Sequence, residues 1–322
     1  MATTTSVIII GAGPVGLLTA LRLGQAGIDT IVLEAHTSLL QTTRALVYMP
    51  VVIPVLKKLG LMNRVSEEAY LNRDGIMWRD LDGQALAHLP LGGSDEDDFA
   101  GVLLLGQYKF VCIILEELKK YPCVQVRFGV RCSSIENNAG DDEHVRVVVP
   151  GRQSEDSEIH ARYLLAADGA NSTTRQRLGL SFDGFTYPDW KMVGADIVFD
   201  FMGERGYSPL NFVVHPEHWA VIAFTGQDED GKASDGTEKP QYRVAFVEPP
   251  DLPSGPEDYM SRTKERLKLW TDGKENFKIL RAEPYINSQR CASQAYKGRV
   301  FLAGDALHVS HSFIHAVHRI RH

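Results

Sequence analysis

The first 34 residues alternate between apolar runs and glycine-rich or polar breaks, in an order that predicts strand, turn, helix, strand. Val7 to Ile10 is a short continuous apolar run, suited to a strand buried on both faces. Glycines interrupt it. From Pro14 to about Gly27 the apolar positions take up helical spacing, and Thr30 to Leu33 forms a second apolar run that ends on Glu34. Further on, a helical segment is expected from about Val51 to Leu59. Gly75 to Leu91 alternates apolar and polar residues around Asp82-Gly83, the signature of a β-hairpin. Gly106-Gln107-Tyr108 opens a helix over Lys109 to Lys120. Strands are expected at Cys123–Phe128, Val145–Val149 and Glu158–Ala167, then a helix that starts near Ser172, carries Arg175 and ends before Gly179.

From about Phe182 to Pro249 the texture changes. Strand-like runs (Val193–Phe201, Asn211–Phe224, Arg243–Phe246) are joined by acidic and glycine-rich loops, and a helix follows over Glu257–Trp270. Gly298 to Asp305 returns to a buried strand that feeds a loop. The pattern predicts an α/β protein: a Rossmann-like domain with an inserted β-rich domain, and no internal repeat. The expected boundaries are 1–180 for the first part, with the hairpin near 75–91 as an excursion from it. The β-rich domain is expected over 181–280, and the return over 281–322.

Gly11, Gly13 and Gly16 have the G-x-G-x-x-G spacing in full strand–turn–helix context. The first glycine permits the tight turn, the second lets backbone approach a pyrophosphate, and the third packs helix against strand. The helix N-terminus then offers unpaired N–H groups and a positive dipole end to phosphate. Glu34 falls where a carboxylate should accept hydrogen bonds from a ribose, roughly 20 residues past the fingerprint. The same acid disfavours a 2′-phosphate, so the site should hold the ADP half of FAD or NAD, not NADP.

Composition narrows the function classes. Hydrophobic content of 44% and charged content of 23% are ordinary for a globular protein of 322 residues. A net charge of −7 argues against nucleic acid or an anionic membrane as the main partner. The acidic runs 95–98, 141–143 and 228–230 are expected in solvated loops. Cys112, Cys123, Cys132 and Cys291 lack C-x-x-C spacing, so reduced thiols in a cytoplasmic protein are expected. The N-terminus lacks a basic leader region, and no apolar stretch is long enough to predict a membrane span.

Two further motifs carry a resemblance. Leu164 to Arg175 reads LLAADGANSTTR, and Gly298 to His308 reads GRVFLAGDALH. With the glycine fingerprint and Glu34, in this order and spacing, the chain resembles the single-component FAD-dependent aromatic hydroxylases, the para-hydroxybenzoate hydroxylase-like monooxygenases, and looks closest to fungal members. The resemblance covers about residues 5 to 308. It implies a Rossmann-like FAD-binding domain with an inserted β-rich substrate domain. It also implies FAD as cofactor, NADPH as reductant, and a small aromatic or polyketide-like substrate hydroxylated with O₂ through a flavin hydroperoxide.

Site residues follow from the same match. Asp305, after the buried strand Val300 to Ala303, would accept hydrogen bonds from the ribityl chain; the lesser alternative on residues alone is a plain helix N-cap. Asp168-Gly169 resembles a motif serving both FAD and the nicotinamide cofactor; on residues alone it reads at least as well as a plain strand-to-helix turn as it does as a cofactor contact. Arg44 stands where family members neutralise the pyrophosphate, and Gln107 where they hydrogen-bond near the cofactor. Gly304 completes the Gly-Asp motif. No signature nucleophile is visible; Tyr187, Trp190, His215 and His218 are candidates on the β-rich insertion, and none is assigned a catalytic role. The absence of a second glycine fingerprint agrees with the family's lack of a separate NADPH domain.

After His308 the family pattern continues with a proline-containing, glycine-rich stretch and a long helix, whereas this chain reads VSHSFIHAVHRIRH. That departure predicts weaker flavin-ring binding and a wetter site. It keeps open a truncated flavoprotein fold without competent catalysis, beside the monooxygenase; a related flavin-dependent reductase is a third reading. His308, His311, His315, His318 and His322 would line one helix face, but with no acidic partner nearby no metal site is assigned.

Overall fold

The computed structural model describes residues 3–41, 46–91, 101–137, 144–150, 157–187, 191–226 and 240–310. The chain falls into two compact units. Among the described residues, the first takes those up to residue 41, Gln107–Phe185 and 288–310; the second takes those within Thr43–Gly106 and Thr186–Asn287.

The first unit is built on a mainly parallel sheet. Its strand order is Tyr296–Lys297, Val300–Leu302, Ser157–Ala166, Thr3–Ile10, Thr30–Glu34, Val124–Phe128. From Val300–Leu302 across to Val124–Phe128 all neighbours run parallel, in the registers Leu164↔Val300, Ile8↔Leu164, Ile8↔Ile31 and Val32↔Val126. The carboxyl ends Ile10, Glu34, Ala166 and Leu302 therefore lie along one edge. Strands buried on both faces need apolar residues at every position, which is why these runs are continuous rather than alternating. Helix Pro14–Gln25 joins the first two strands and packs against helix Gln107–Leu118. The other sheet face is closed by the antiparallel strands Val145–Val149 and Ser134–Asn137, over a core that includes Ile8, Ile31, Leu33, Val147, Ile159 and Leu164.

The second unit holds a seven-stranded sheet among its described residues, in the order Lys278–Tyr285, Lys191–Val198, Gln241–Glu248, Ala220–Gly226, Leu210–Val213, Ile76–Arg79, Ala85–Leu89. The hairpin expected around Asp82-Gly83 forms, and its strand Ile76–Arg79 pairs parallel with Leu210–Val213. The hairpin is thus the edge of this sheet, and residues 43–106 join the β-rich unit although they precede it in the chain. The expected strand Asn211–Phe224 is two strands joined by a turn, and Phe199–Phe201 leaves the sheet for the short helix Phe201–Arg205, N-capped by Asp200. Helix Pro256–Trp270 covers one sheet face, where Trp270, Phe246, Tyr242 and Val244 form the core. Within that core Glu248 is fully buried and takes a two-pronged bond from Arg262 (Nε to Oε1 2.9 Å, Nη2 to Oε2 2.8 Å).

Among the described residues no helix is long and apolar enough to cross a membrane. The acidic runs 95–98, 141–143 and 228–230 lie outside the described residues.

Candidate functional site

The three motifs converge at the carboxyl edge of the parallel sheet, the place where open α/β sheets collect ligands. Gly11 leaves its strand with φ +104°, a conformation that side-chain-bearing residues rarely adopt. Its N–H donates to Leu33 O at 2.8 Å, and a Cβ there would lie 2.7 Å from the carbonyl carbon of Ala167. The first motif is thereby pressed against the second. A Cβ on Gly16 would collide with the carbonyl oxygen of Gly11 and sit 3.3 Å from Ile9 Cγ2, so helix and strand touch only because both residues are bare.

Gly13 is different. A Cβ there would meet nothing within 4 Å, and this residue caps the helix without any side chain bonding the first-turn amides. The helix thus begins with its donors facing open space, the arrangement that suits a phosphate. Glu34 flanks that space: Oε2 accepts from Ala12 N–H at 2.9 Å and Oε1 from His36 N–H at 2.8 Å. Each carboxylate oxygen retains a lone pair for a hydroxyl. Fingerprint and acid are one hydrogen-bonded piece.

Asp168 lies two residues past the end of the strand Ser157–Ala166. Its Oδ2 accepts from Thr174 N–H at 3.1 Å and Thr174 Oγ1 at 3.0 Å, while Oδ1 is buried without a hydrogen-bond partner among the described residues. A buried carboxylate oxygen left this way lacks the donor its charge demands. Gly304, at φ +57°, brings the Gly-Asp motif onto the fingerprint helix, where its Cβ would lie 2.9 Å from Val15 Cγ2. Asp305 is exposed in the short 3₁₀ turn Gly304–Ala306. Gln107 is the first residue of its helix. Arg44 lies outside the described residues.

Arg175 carries a task that the sequence reading placed on a helix without assigning. It is 4% exposed; its Nη1 donates to Ala306 O at 2.8 Å and its Nη2 to Ala170 O at 2.7 Å. It therefore latches the Asp-Gly turn to the Gly-Asp turn. The signal was present: an arginine seven residues past Asp168, on a segment with no acidic partner in its first turn.

In the second unit His215 and His218 stack at 4.9 Å in the turn between Val213 and Ala220, and His215 Nδ1 accepts the N–H groups of Glu217 and His218. Burial and the neighbouring Arg266 push the His218 pKa down. These are turn-forming roles. Tyr187 lines a cavity of about 450 Å³ with Lys191, Tyr259 and Tyr285. Trp190 and four of the tail histidines (311, 315, 318, 322) lie outside the described residues; His308 ends in a short bridge strand with Cys291.

Residues 4–314 match the FAD binding domain family. The chain belongs to it. It is 35% identical over 316 residues to the para-nitrophenol 4-monooxygenase of Pseudomonas sp. (strain WBC-3), an alignment spanning 96% of this chain and 73% of that protein. Among solved structures, p-nitrophenol 4-monooxygenase from Pseudomonas putida DLL-E4 superposes with a TM-score of 0.84 at 32% identity, covering 97% of this chain and 75% of that one. Aklavinone-11 hydroxylase, solved with FAD and aklavinone, gives 0.78 at 26% identity, covering 95% and 57%. The chain is accordingly an FAD-dependent aromatic hydroxylase by family, with the mixed α/β architecture of its neighbours.

Proposed function

We propose that this protein is an FAD-dependent, NADPH-consuming monooxygenase that hydroxylates a small phenol, the class to which the para-nitrophenol of its relatives belongs. The observation that carries the cofactor half is the uncapped helix start at Gly13, held between Glu34 and the Gly304-Asp305 turn. In this reading Gly11 supplies the turn, and the free N–H groups of the helix start at Gly13 face the pyrophosphate, with Arg44 as its counter-charge. Glu34 accepts from the adenosine ribose and Asp305 from the ribityl hydroxyls. Gln107 and Asp168 border the same space. Charge-assisted bonds of this kind contribute roughly 1.5–3 kcal/mol each.

The bound flavin would supply the oxygen-transfer chemistry with O₂. The protein supplies position and exclusion of water. Arg175 keeps Ala306, and with it Asp305, in register with Asp168. The β-rich unit is the proposed seat of the aromatic substrate, its ring packing on apolar and aromatic side chains.

Visible spectroscopy of the purified chain with and without FAD tests this. Flavin bands retained after desalting are the expected result, with NADPH oxidised only when a phenol is present. A colourless protein that takes up no FAD would overturn the reading.

A further inference from the structure

At the start of strand Lys191–Val198 the second unit holds a cavity of about 450 Å³, a size that suits a small molecule. Its walls are flat and apolar. Tyr187, Tyr259 and Tyr285 supply rings, and Pro250 and Pro284 supply pyrrolidine faces. Burial pushes the Tyr285 phenol up to about 12, so that wall carries no charge at neutral pH. Ile286 stands at the rim with 81% of its surface exposed.

One charge enters this space. The Lys191 ammonium donates to Leu252 O at 3.0 Å and to Ser254 Oγ at 2.9 Å, and it stands 5.8 Å from the centre of the Tyr259 ring. Both acceptors are neutral. Glu248 is the residue opposite Lys191 on the neighbouring strand, but both its oxygens are taken by Arg262. Among the described residues no carboxylate pairs with Lys191. Arg262 also lies over the Tyr259 ring, at 5.1 Å, so two cations share one aromatic neighbour and only one of them has its counter-ion. An ammonium has three protons and two are placed here, which leaves one donor and the charge for a ligand. The two neutral bonds also fix where that donor stands. Tyr259 is 4% exposed, and its hydroxyl makes no hydrogen bond among the described residues, so the same wall has a second donor to offer.

A single cation among flat apolar walls suits a ring bearing one negative charge. A small dianion such as phosphate would leave the walls without contacts and one charge unanswered. We propose that this cavity is a binding site for a planar aromatic monoanion, a ring carboxylate held by Lys191 with its ring between the tyrosine and proline walls. The site goes beyond the monooxygenase reading, and its occupancy requires no flavin.

Isothermal titration of the full chain with 1-naphthoate, neutral 1-naphthamide and inorganic phosphate, with and without FAD, decides it. The wild type should bind naphthoate in both conditions and phosphate in neither. Lys191→Met should lower naphthoate affinity at least tenfold and shift naphthamide less than about twofold. Ser254→Ala loosens the lysine without removing charge and should stay within about twofold of the wild type. Ile286→Trp, a change at an exposed position, should fill the mouth and weaken both ring ligands at least fivefold. No naphthoate binding by the wild type, equal loss of both ring ligands in Lys191→Met, undiminished binding in Ile286→Trp, or phosphate bound as tightly as naphthoate overturns the assignment. FAD titrated separately keeps this result apart from the flavoprotein reading, because Lys191→Met and Ile286→Trp should both bind FAD as the wild type does.

Discussion

The guanidinium of Arg175 lies 3.7 Å from the centre of the Phe182 ring while its two terminal nitrogens hold Ala306 O and Ala170 O. One buried side chain therefore fastens two motifs that are far apart in sequence, and the aromatic face adds to the stabilisation that the charge of Asp168 supplies. Burial pulls its pKa down, although Asp168 opposes that shift; an arginine remains charged regardless.

Replacing Arg175 by Gln should destabilise the fold by about 2–4 kcal/mol, since two carbonyls lose charged donors and a cation–π contact disappears. Arg175→Lys should recover less than half, because an ammonium cannot span both carbonyls. Urea unfolding of the three proteins measures this. A loss below about 0.5 kcal/mol for Gln would remove the latch from the account.

Gly13 and Gly16 should separate ligand binding from folding. Gly16→Ala forces the helix off Gly11 and should cost about 1–3 kcal/mol of stability. Gly13→Ala meets open space, so stability should stay within about 0.5 kcal/mol while FAD affinity falls at least tenfold, about 1.4 kcal/mol. Unfolding curves paired with fluorescence titration of FAD distinguish the two.

Glu34→Ala and Asp305→Ala should each weaken FAD binding at least tenfold, about 1.4 kcal/mol. They should differ in the apo protein. Glu34 also bonds Ala12 and His36, so its removal should lower stability, whereas exposed Asp305 should not matter until FAD is added. Unchanged FAD affinity in both variants would sink the cofactor assignment.

His218 gives the pH prediction. Its pKa is lowered in the folded state, first by burial, so the unfolded chain binds the proton more readily. The contribution it makes is then fully present above the ordinary histidine pKa of about 6.5 and is lost as pH falls toward the depressed value. His218→Gln should flatten the rise in urea midpoint between about pH 5 and pH 8. A slope unaltered by the substitution would place the titration elsewhere.

The parallel sheet and its motifs were legible because each has a local signal. Apolar runs of four or five residues, glycines at fixed spacing and an acid at a strand end declare themselves within about 30 residues. Partnership across long separations did not. Nothing near Ile76 announces that its strand runs beside Leu210–Val213, so a hairpin that looks like an excursion of the first domain is the edge of the second unit's sheet. Arg243 was equally hidden. It sits in an alternating strand like any exposed arginine, and only the register with Asp196 and the bareness of Gly194 show how it is held.

The strand Val300–Leu302 pairs with Leu164–Ala166, and every strand beyond it in the parallel run comes from far earlier in the chain. Gly304, Asp305 and the carbonyl that Arg175 grips all ride on that pairing. During synthesis the cofactor edge must therefore wait, open and apolar, while the whole β-rich unit is made and folded in between. The nucleotide-binding half of the protein begins first and is closed last.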